Sequence, residues 1–188
     1  MSTDQADSTT VNPFTTESAR RALFALRAFP AGLVSLGAAA TGRHGWAGRW
    51  QLAAADPSES ERIDRRSPSW LRVFAHSVLS LLSGMVAWFF AFLSVIAAFR
   101  GLFYGLITDG SYEYSWGGPT LAGAWLVHLV LGVLLVPVAM WILKAIASLL
   151  AGLTRHLLGE GGPVWAVPVA LVLAAAGALL FRSWLHQA

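Results

Sequence analysis

The sequence contains no cysteine and few charged residues. Without cysteine, the chain has no disulfide, no thiol nucleophile and no thiolate metal ligand. Charged residues make up 12% of its 188 positions, whereas they make up roughly a quarter of an ordinary soluble domain. Hydrophobic residues account for 56%. These proportions indicate an integral membrane protein.

The sequence also lacks the short motifs of the large enzyme classes. It has no Walker-type glycine loop, no HExxH, no GxSxG and no paired acids inside an apolar run. The two acids predicted on the outer side, Asp109 and Glu113, are too few and too exposed for acid-base catalysis. We therefore expect no catalytic residue, no metal and no cofactor. The net charge of +3 is small enough to be explained by membrane topology, so no nucleic-acid partner is expected.

Three uncharged runs are each long enough for the roughly 20 residues that a helix needs to cross the hydrocarbon core. They predict spans at about 73–99, 117–143 and 163–182. The runs are continuously apolar and lack the alternation of a membrane strand. The predicted fold is an all-α integral membrane protein with three transmembrane helices plus an N-terminal interfacial or short membrane helix.

Residues 20–42 allow three interpretations. They could form a helix lying on the inner leaflet, a weak fourth span, or a cleaved signal with Arg20-Arg21 and a small-residue site at 38–40. Arg27 and Pro30 interrupt the apolar run. A crossing here would place the six arginines between positions 43 and 72 outside, against the charge rule. The pattern therefore favours the interfacial helix.

Lysine and arginine are distributed unequally between the two sides. Eleven of the 13 precede the first span or lie between the second and third, and only Arg100 and Arg182 fall on the other side. Because positive loops stay in the cytoplasm, we expect a cytoplasmic N-terminus and an outer C-terminus in the cell (inner or plasma) membrane. Residues 1–19 are polar and predicted to be disordered. Residues 43–72 are predicted to be a cytoplasmic linker, followed by a transmembrane domain over 73–188.

Small residues recur every three or four positions in two of the spans, so they share one face of each helix. They are Ser80, Gly84, Ala87 and Ala91 in the first span, and Ala166, Ala170, Ala174 and Ala178 in the third. Small faces let membrane helices approach closely. We expect them to pack against another helix of this chain, or alternatively against a second copy or a partner.

Two histidines lie in the spans. Counting from the nearest tryptophans puts His128 near the bilayer centre, beside Trp88, and puts His76 near the inner face. The two rings are then too far apart to share a metal or a haem. His128 is the ionisable residue at mid-membrane depth that invites a functional test.

The polar stretch between the first two spans forms a candidate loop for a ligand or partner: Tyr104, Asp109, Tyr112, Glu113, Tyr114 and Trp116. Its aromatic residues can also be simple interfacial anchors. Gly117-Gly118-Pro119 would expose backbone amides at the start of the second span. We expect the loop to fold back onto this helix start, with the carboxylate of Asp109 or Glu113 close to the amides.

Two short motifs, Tyr104-Gly105 and WGGPTLAGAW at Trp116–Trp125, resemble the membrane-embedded sensor region that precedes histidine kinase domains in actinobacteria and also occurs as short free-standing proteins. The resemblance covers about 99–159. The first hydrophobic segment departs from that pattern because it is short and interrupted, and the sequence shows no phosphoacceptor helix or ATP-binding domain. The resemblance implies a non-enzymatic sensor or regulatory protein acting through the lipid bilayer, a homo-oligomer or a signalling partner. The alternative is an accessory or structural subunit of a transporter or other membrane complex.

Overall fold

The computed structural model describes residues 15–54, 68–108, 111–159 and 161–186. These ranges contain five helices and no strand: α1 (Thr16–Ala40), α2 (His44–Ala54), α3 (Trp70–Ile107), α4 (Leu121–Leu157) and α5 (Ala166–Leu185). All except α2 are long and apolar enough to cross a membrane. The chain is therefore an all-α, multi-pass membrane protein, as predicted.

Helix α1 begins inside the segment that the sequence predicted to be disordered. The hydroxyl of Thr15 caps it by accepting a hydrogen bond from the backbone N–H of Ser18 at 3.2 Å. In the first turn, Glu17 pairs with Arg21 at 2.7 Å, one turn along the helix. The prediction of disorder is wrong for residues 16–19 because these local interactions start a helix. Residues 1–14 lie outside the described residues.

Helix α1 lies lengthwise along the first half of α3, and the two helices run antiparallel. Near the start of α3, the indole N–H of Trp70 donates to the carbonyl of Ala39 at 3.0 Å. Further along, the indole N–H of Trp88 donates to the carbonyl of Leu26 at 3.0 Å. A helix lying in the plane of the membrane surface would cross α3 at one point. The structure thus favours a membrane helix over an interfacial one for residues 20–42.

The two residues that interrupt the apolar run, Arg27 and Pro30, are both exposed and leave the packed face of α1 intact. Proline has no N–H, so the carbonyl of Leu26, four residues earlier, lacks its helical donor. Trp88 supplies the missing donor from α3. The buried face of α1 consists of small residues: Ser18, Ala22, Ala25, Ala28, Gly32, Ser35 and Ala39.

Helices α3 and α4 form a long antiparallel hairpin of 38 and 37 residues. At 1.5 Å per residue, each helix is about 57 Å long, nearly twice the ~30 Å hydrocarbon core. Helix α3 continues eight residues past the predicted span end at Phe99, and α4 continues past Leu143 to Leu157. Arg100 and Lys144 end the uncharged runs, but a charged side chain does not break helical hydrogen bonding. The apolar runs therefore underestimate the length of both helices.

Helix α2 lies inside the segment 43–72 that was predicted to be only a linker. It follows α1 after a turn at Gly42, whose φ of 81° suits glycine. Its buried side carries Ala47, Gly48 and Gln51, which face the start of α3. Within this segment, residues 55–67 are outside the described ranges.

Helix α5 packs against α3 and α4 through small residues. Ala166 and Ala170 are fully buried, and a side chain at Gly177 would collide with Val86 of α3. The main apolar core lies where these helices meet α1, around Leu79, Leu150 and Leu153. Only 11% of the most apolar stretch of α5 is buried in the chain, so most of its surface faces outward.

Candidate functional site

Residues 111–120, the cap loop, fold over the end of the α3–α4 hairpin. The hydroxyl of Tyr104 on α3 donates to Ser115 Oγ at 3.1 Å, and the hydroxyl of Tyr112 donates to the carbonyl of Thr108 at 2.9 Å. Within the loop, the backbone N–H of Ser115 donates to the carbonyl of Tyr112 at 3.0 Å, which closes a turn. These bonds tie the loop to α3 and give it a defined shape.

The glycines of the WGGPTLAGAW motif are required by close backbone approach. Gly117 has a φ of 84°, which other residues rarely adopt, and a Cβ there would clash with the carbonyl of Gly123. A Cβ at Gly118 would clash with the carbonyl of Tyr112. The two glycines therefore let the cap loop pack closely against the first turn of α4 and against its own backbone at Tyr112.

The start of α4 is capped by a hydroxyl rather than by a carboxylate. Thr120 Oγ1 accepts a hydrogen bond from the backbone N–H of Gly123 at 3.1 Å. Glu113 is exposed, and its carboxylate has no hydrogen-bond or ion-pair partner in the described part of the chain. The prediction that a carboxylate caps this end is wrong for Glu113, since Thr120 is already in the capping position. Asp109 lies outside the described residues.

Beneath the cap loop, Arg100, Tyr104 and His128 form the aromatic cluster. Tyr104 is 2% exposed, and its ring stacks on His128 with centroids 3.9 Å apart and planes 17° apart. The guanidinium carbon of Arg100 lies 5.4 Å from the centroid of the Tyr104 ring, within cation-π distance. Tyr104 thus connects His128 of α4 to Ser115 of the cap loop.

The contacts of His128 determine which ring nitrogen carries its proton. Nδ1 lies 2.8 Å from the carbonyl of Ala124, which can only accept a hydrogen bond. Nδ1 is therefore the donor of this hydrogen bond. Nε2 has no partner among the residues that the structure describes.

The neighbour predicted for His128 is wrong. The ring contacts Tyr104 instead of Trp88, and the backbone of His128 lies against Gly101. Because α3 extends to Ile107 and α4 begins at Leu121, the hairpin register differs from the one that the apolar runs predicted. His128 is only seven residues inside α4, roughly 10 Å from its start.

The other aromatic residues of the predicted loop project outward. Tyr114 is 95% exposed and Trp116 is 74% exposed. Their positions are compatible with an anchoring role, while Tyr104 and Tyr112 are tied into the structure by hydrogen bonds. The structure therefore divides the predicted loop residues into an internal pair and an external pair.

The small-residue face predicted on the first span is covered by α1. Ser80 is 5% exposed and Ala87 is fully buried. A Cβ at Gly84 would collide with the backbone of Phe29, while Ala91 is half-buried at the end of the face. Of the two predicted partners for this face, the helix from the same chain is the one observed.

A polar network that was not predicted lies at the opposite end of the bundle around His76. Thr154 Oγ1 donates to the carbonyl of Leu150 at 2.9 Å, so it accepts from His76 Nε2, also at 2.9 Å. His76 Nδ1 then accepts from Ser80 at 3.4 Å. This separates His76 from His128, in agreement with the sequence analysis. The network was missed because its members are distant in the sequence.

Gln51 lies beside this network but is not hydrogen-bonded to it. Its Nε2 donates to Ser77 Oγ at 2.7 Å, while its buried Oε1 has no partner within the described ranges. Gln51 lines a cavity of about 30 Å³ together with Arg27 and His76. This volume is enough for one water molecule.

In the described ranges, no group of three or more His, Asp or Glu side chains could hold a metal ion. Comparison with family models, with characterised proteins and with solved structures finds no match to this chain.

Proposed function

We propose that this chain is a non-enzymatic membrane protein of sensor or regulatory type that acts through a partner. The supporting observation is the closed cap loop, which Tyr104 links to His128. A ligand, lipid or partner that opens this loop has to break the Tyr104–Ser115 hydrogen bond and disturb a ring stacked between two helices. The resemblance of the cap-loop sequence to the sensor region of actinobacterial kinases points to the same role.

The proposed topology has four crossings with both termini outside. If α1 crosses the membrane as well as α3, α4 and α5, the chain crosses four times and both termini lie on the same side. The inner segments then carry eight basic residues and the outer ends of the helices carry four, while Arg27 lies in the middle of α1; this inward excess still obeys the charge rule. The earlier objection to a fourth span applied only to a cytoplasmic N-terminus. The eight inner residues are Arg43, Arg49, Arg62, Arg65, Arg66, Arg72, Lys144 and Arg155.

Single-cysteine variants can test this topology cleanly, because the chain has no native cysteine. We expect an impermeant thiol reagent to label Ser8→Cys and Ser111→Cys in intact cells, but Ser60→Cys only after the membrane is permeabilised. Protection of Ser8→Cys together with Ser60→Cys would instead establish the three-span topology with a cytoplasmic N-terminus. Labelling of Ser60→Cys alone would establish four spans of the opposite orientation.

The sensor role predicts a signalling partner whose output depends on the cap loop. The tagged full-length chain should be purified from membranes of its own host after crosslinking, alongside Tyr104→Phe and the control Tyr114→Phe, whose ring is exposed. We expect recovery of a kinase or response regulator, with a phosphorylation level changed by Tyr104→Phe and unchanged by Tyr114→Phe. Equal phosphorylation in both variants would argue against signalling through the loop.

The outward surface of α5 favours the second function, an accessory or structural subunit of a membrane complex. Leu171, Val172 and Leu179 are 54%, 69% and 66% exposed, and a partner helix could cover them. In the same purification, recovery of a permease in place of a signalling protein would support this alternative. Crosslinks from α5 rather than from the cap loop would identify the contact.

A further inference from the structure

An apolar groove of about 530 Å³ opens on the outside of the helix bundle. Its floor is α3, and its two walls are Phe29 of α1 and the second half of α5. The groove exists because α1 and α5 both pack on α3 at residues with little or no side chain, against Gly84 and through Gly177. Its volume is in the range of ligand sites, roughly 300–1,000 Å³.

The length of the groove matches one leaflet of a bilayer. Its lining runs from Leu82 to Phe92 on α3 and from Ala174 to Trp184 on α5. Ten residues of helix correspond to about 15 Å, which is half of the ~30 Å hydrocarbon core. Helix α5 has 20 residues, so the groove covers its second half and ends where the helix ends.

The walls of the groove are apolar, and two free polar groups belong to the last turns of α5. The indole N–H of Trp88 is already bonded to Leu26. In contrast, the indole N–H of Trp184 and the guanidinium of Arg182 have no hydrogen-bond or ion-pair partner in the part of the chain that the structure describes. Trp184 lines the end of the groove, and Arg182 follows Ala178 of the groove wall by one helical turn. A donor and a positive charge at this level complement a phosphate.

The shape of the floor argues against a transmembrane helix as the occupant. Helices pack in membranes through small residues on both partners. The α5 wall offers Ala174 and Ala178, but the floor on α3 carries large side chains such as Met85, Phe89 and Phe92. A flexible chain can follow such a surface, whereas a rigid helix would be held away from it.

We propose that this groove binds an anionic phospholipid, with one acyl chain along α3 and the phosphate at Trp184 and Arg182. The acyl chain fills the length of one leaflet, and the charge of the headgroup provides selectivity. This proposal is independent of the sensor role, because it rests on the groove and on the end of α5.

The test compares two lipids that differ only in headgroup charge. The full-length chain is reconstituted in nanodiscs of equal parts dioleoyl phosphatidylglycerol and dioleoyl phosphatidylcholine. The protein is then released from the nanodisc, and the lipid that stays bound to it is identified by native mass spectrometry. We expect one phosphatidylglycerol per chain, retained at least about tenfold over phosphatidylcholine. Ala178→Phe fills the groove and should abolish retention. The matched control Ala176→Phe, on the exposed face of α5 outside the groove lining, should retain it.

Arg182→Gln should leave a lipid bound but remove the preference for phosphatidylglycerol. Three results would overturn the proposal: the unchanged protein retains no lipid, it retains both lipids equally, or Ala178→Phe retains as much as Ala176→Phe. Conversion of a dimer to a monomer by Ala178→Phe would identify the groove as a protein interface instead. The first two readouts use the unsubstituted chain, so a folding defect in a variant cannot obscure them.

Discussion

At the scale of single residues, two tryptophans of α3 donate hydrogen bonds to backbone carbonyls of α1. Pro30 removes a helical donor, and Trp88 replaces it across the α1–α3 interface. Trp70 adds a second donor to the carbonyl of Ala39, which already accepts from the backbone N–H of Gly42 at 3.2 Å. In an apolar surrounding, an unpaired carbonyl at Leu26 would be costly. These two tryptophans therefore fix the register of α1 on α3.

A double-mutant cycle tests the Pro30–Trp88 link. We expect Trp88→Phe to lower the free energy of unfolding by about 1 kcal/mol, in the range of hydrogen bonds between membrane helices. In a Pro30→Ala background the helix regains its own N–H donor for Leu26, so the same substitution should cost much less. Unfolding in mixed micelles provides the measurement. Strictly additive effects would show that the Leu26 carbonyl does not couple the two residues.

A pair of glycines separates backbone strain from crowding in the cap loop. Gly117 and Gly161 both have positive φ, 84° and 75°, but a Cβ at Gly161 has nothing within 4 Å. Gly161→Ala should therefore lower the free energy of unfolding only by the cost of placing alanine in a left-handed conformation, about 1–2 kcal/mol. Gly117→Ala should cost clearly more, because the new Cβ also meets the carbonyl of Gly123. The measurement is the free energy of unfolding of each variant in mixed micelles, with the larger loss expected for Gly117→Ala.

At the scale of helices, glycine determines how closely elements approach. Gly32 and Gly84 lie at the α1–α3 contact, and Gly101 and Gly132 lie at the α3–α4 contact. In each case an added Cβ would meet backbone atoms of the other helix. Such contacts rely on van der Waals packing, the main attraction between helices in a membrane. The bundle therefore depends on where its glycines fall.

Two glycines of α1 provide a matched comparison. A Cβ at Gly32 would lie 2.7 Å from the backbone nitrogen of Leu81, whereas one at Gly37 would meet nothing within 4 Å. We expect Gly32→Ala to destabilise the protein by about 1–3 kcal/mol through overpacking. Gly37→Ala should be neutral or stabilising by up to about 1 kcal/mol, since alanine is the better helix former. Equal effects in a detergent unfolding assay would contradict lengthwise packing of α1.

At the scale of the whole molecule, α1 is an integral part of the bundle. It covers the small-residue face of α3 and also touches the core formed with α4. Removing it would expose Gly84 and Ala87, which are buried in the intact chain. The N-terminal part should therefore bind the remainder even without a covalent link.

Co-expression of residues 1–60 and 61–188 as separate chains tests this. We expect the two fragments to copurify, because the α1–α3 interface provides the contact. Gly84→Leu in the second fragment should prevent it by separating the helix backbones, whereas Gly37→Leu in the first should not. Copurification that survives Gly84→Leu would mean that other contacts hold α1 in place.

The sequence by itself determined the membrane class and the approximate positions of three spans, because continuous hydrophobicity is a local property. It also identified the turn residues Gly117 and Gly118 and the separation of His76 from His128. The sequence predicted the ends of the helices less accurately. Arg100 ends an apolar run but not a helix, and Thr15 starts a helix inside a polar segment.

Only the tertiary structure decided which distant residues meet. No local pattern shows that Trp88 compensates for Pro30, that Tyr104 joins His128 to Ser115, or that Gln51 and Thr154 each bond to a side chain near the start of α3. The interpretation of residues 20–42 changed for the same reason. Arg27 and Pro30 weaken a span when hydrophobicity is summed along the chain, but packing depends on the opposite face of the helix, where Ala25, Ala28 and Gly32 lie against α3 and the core.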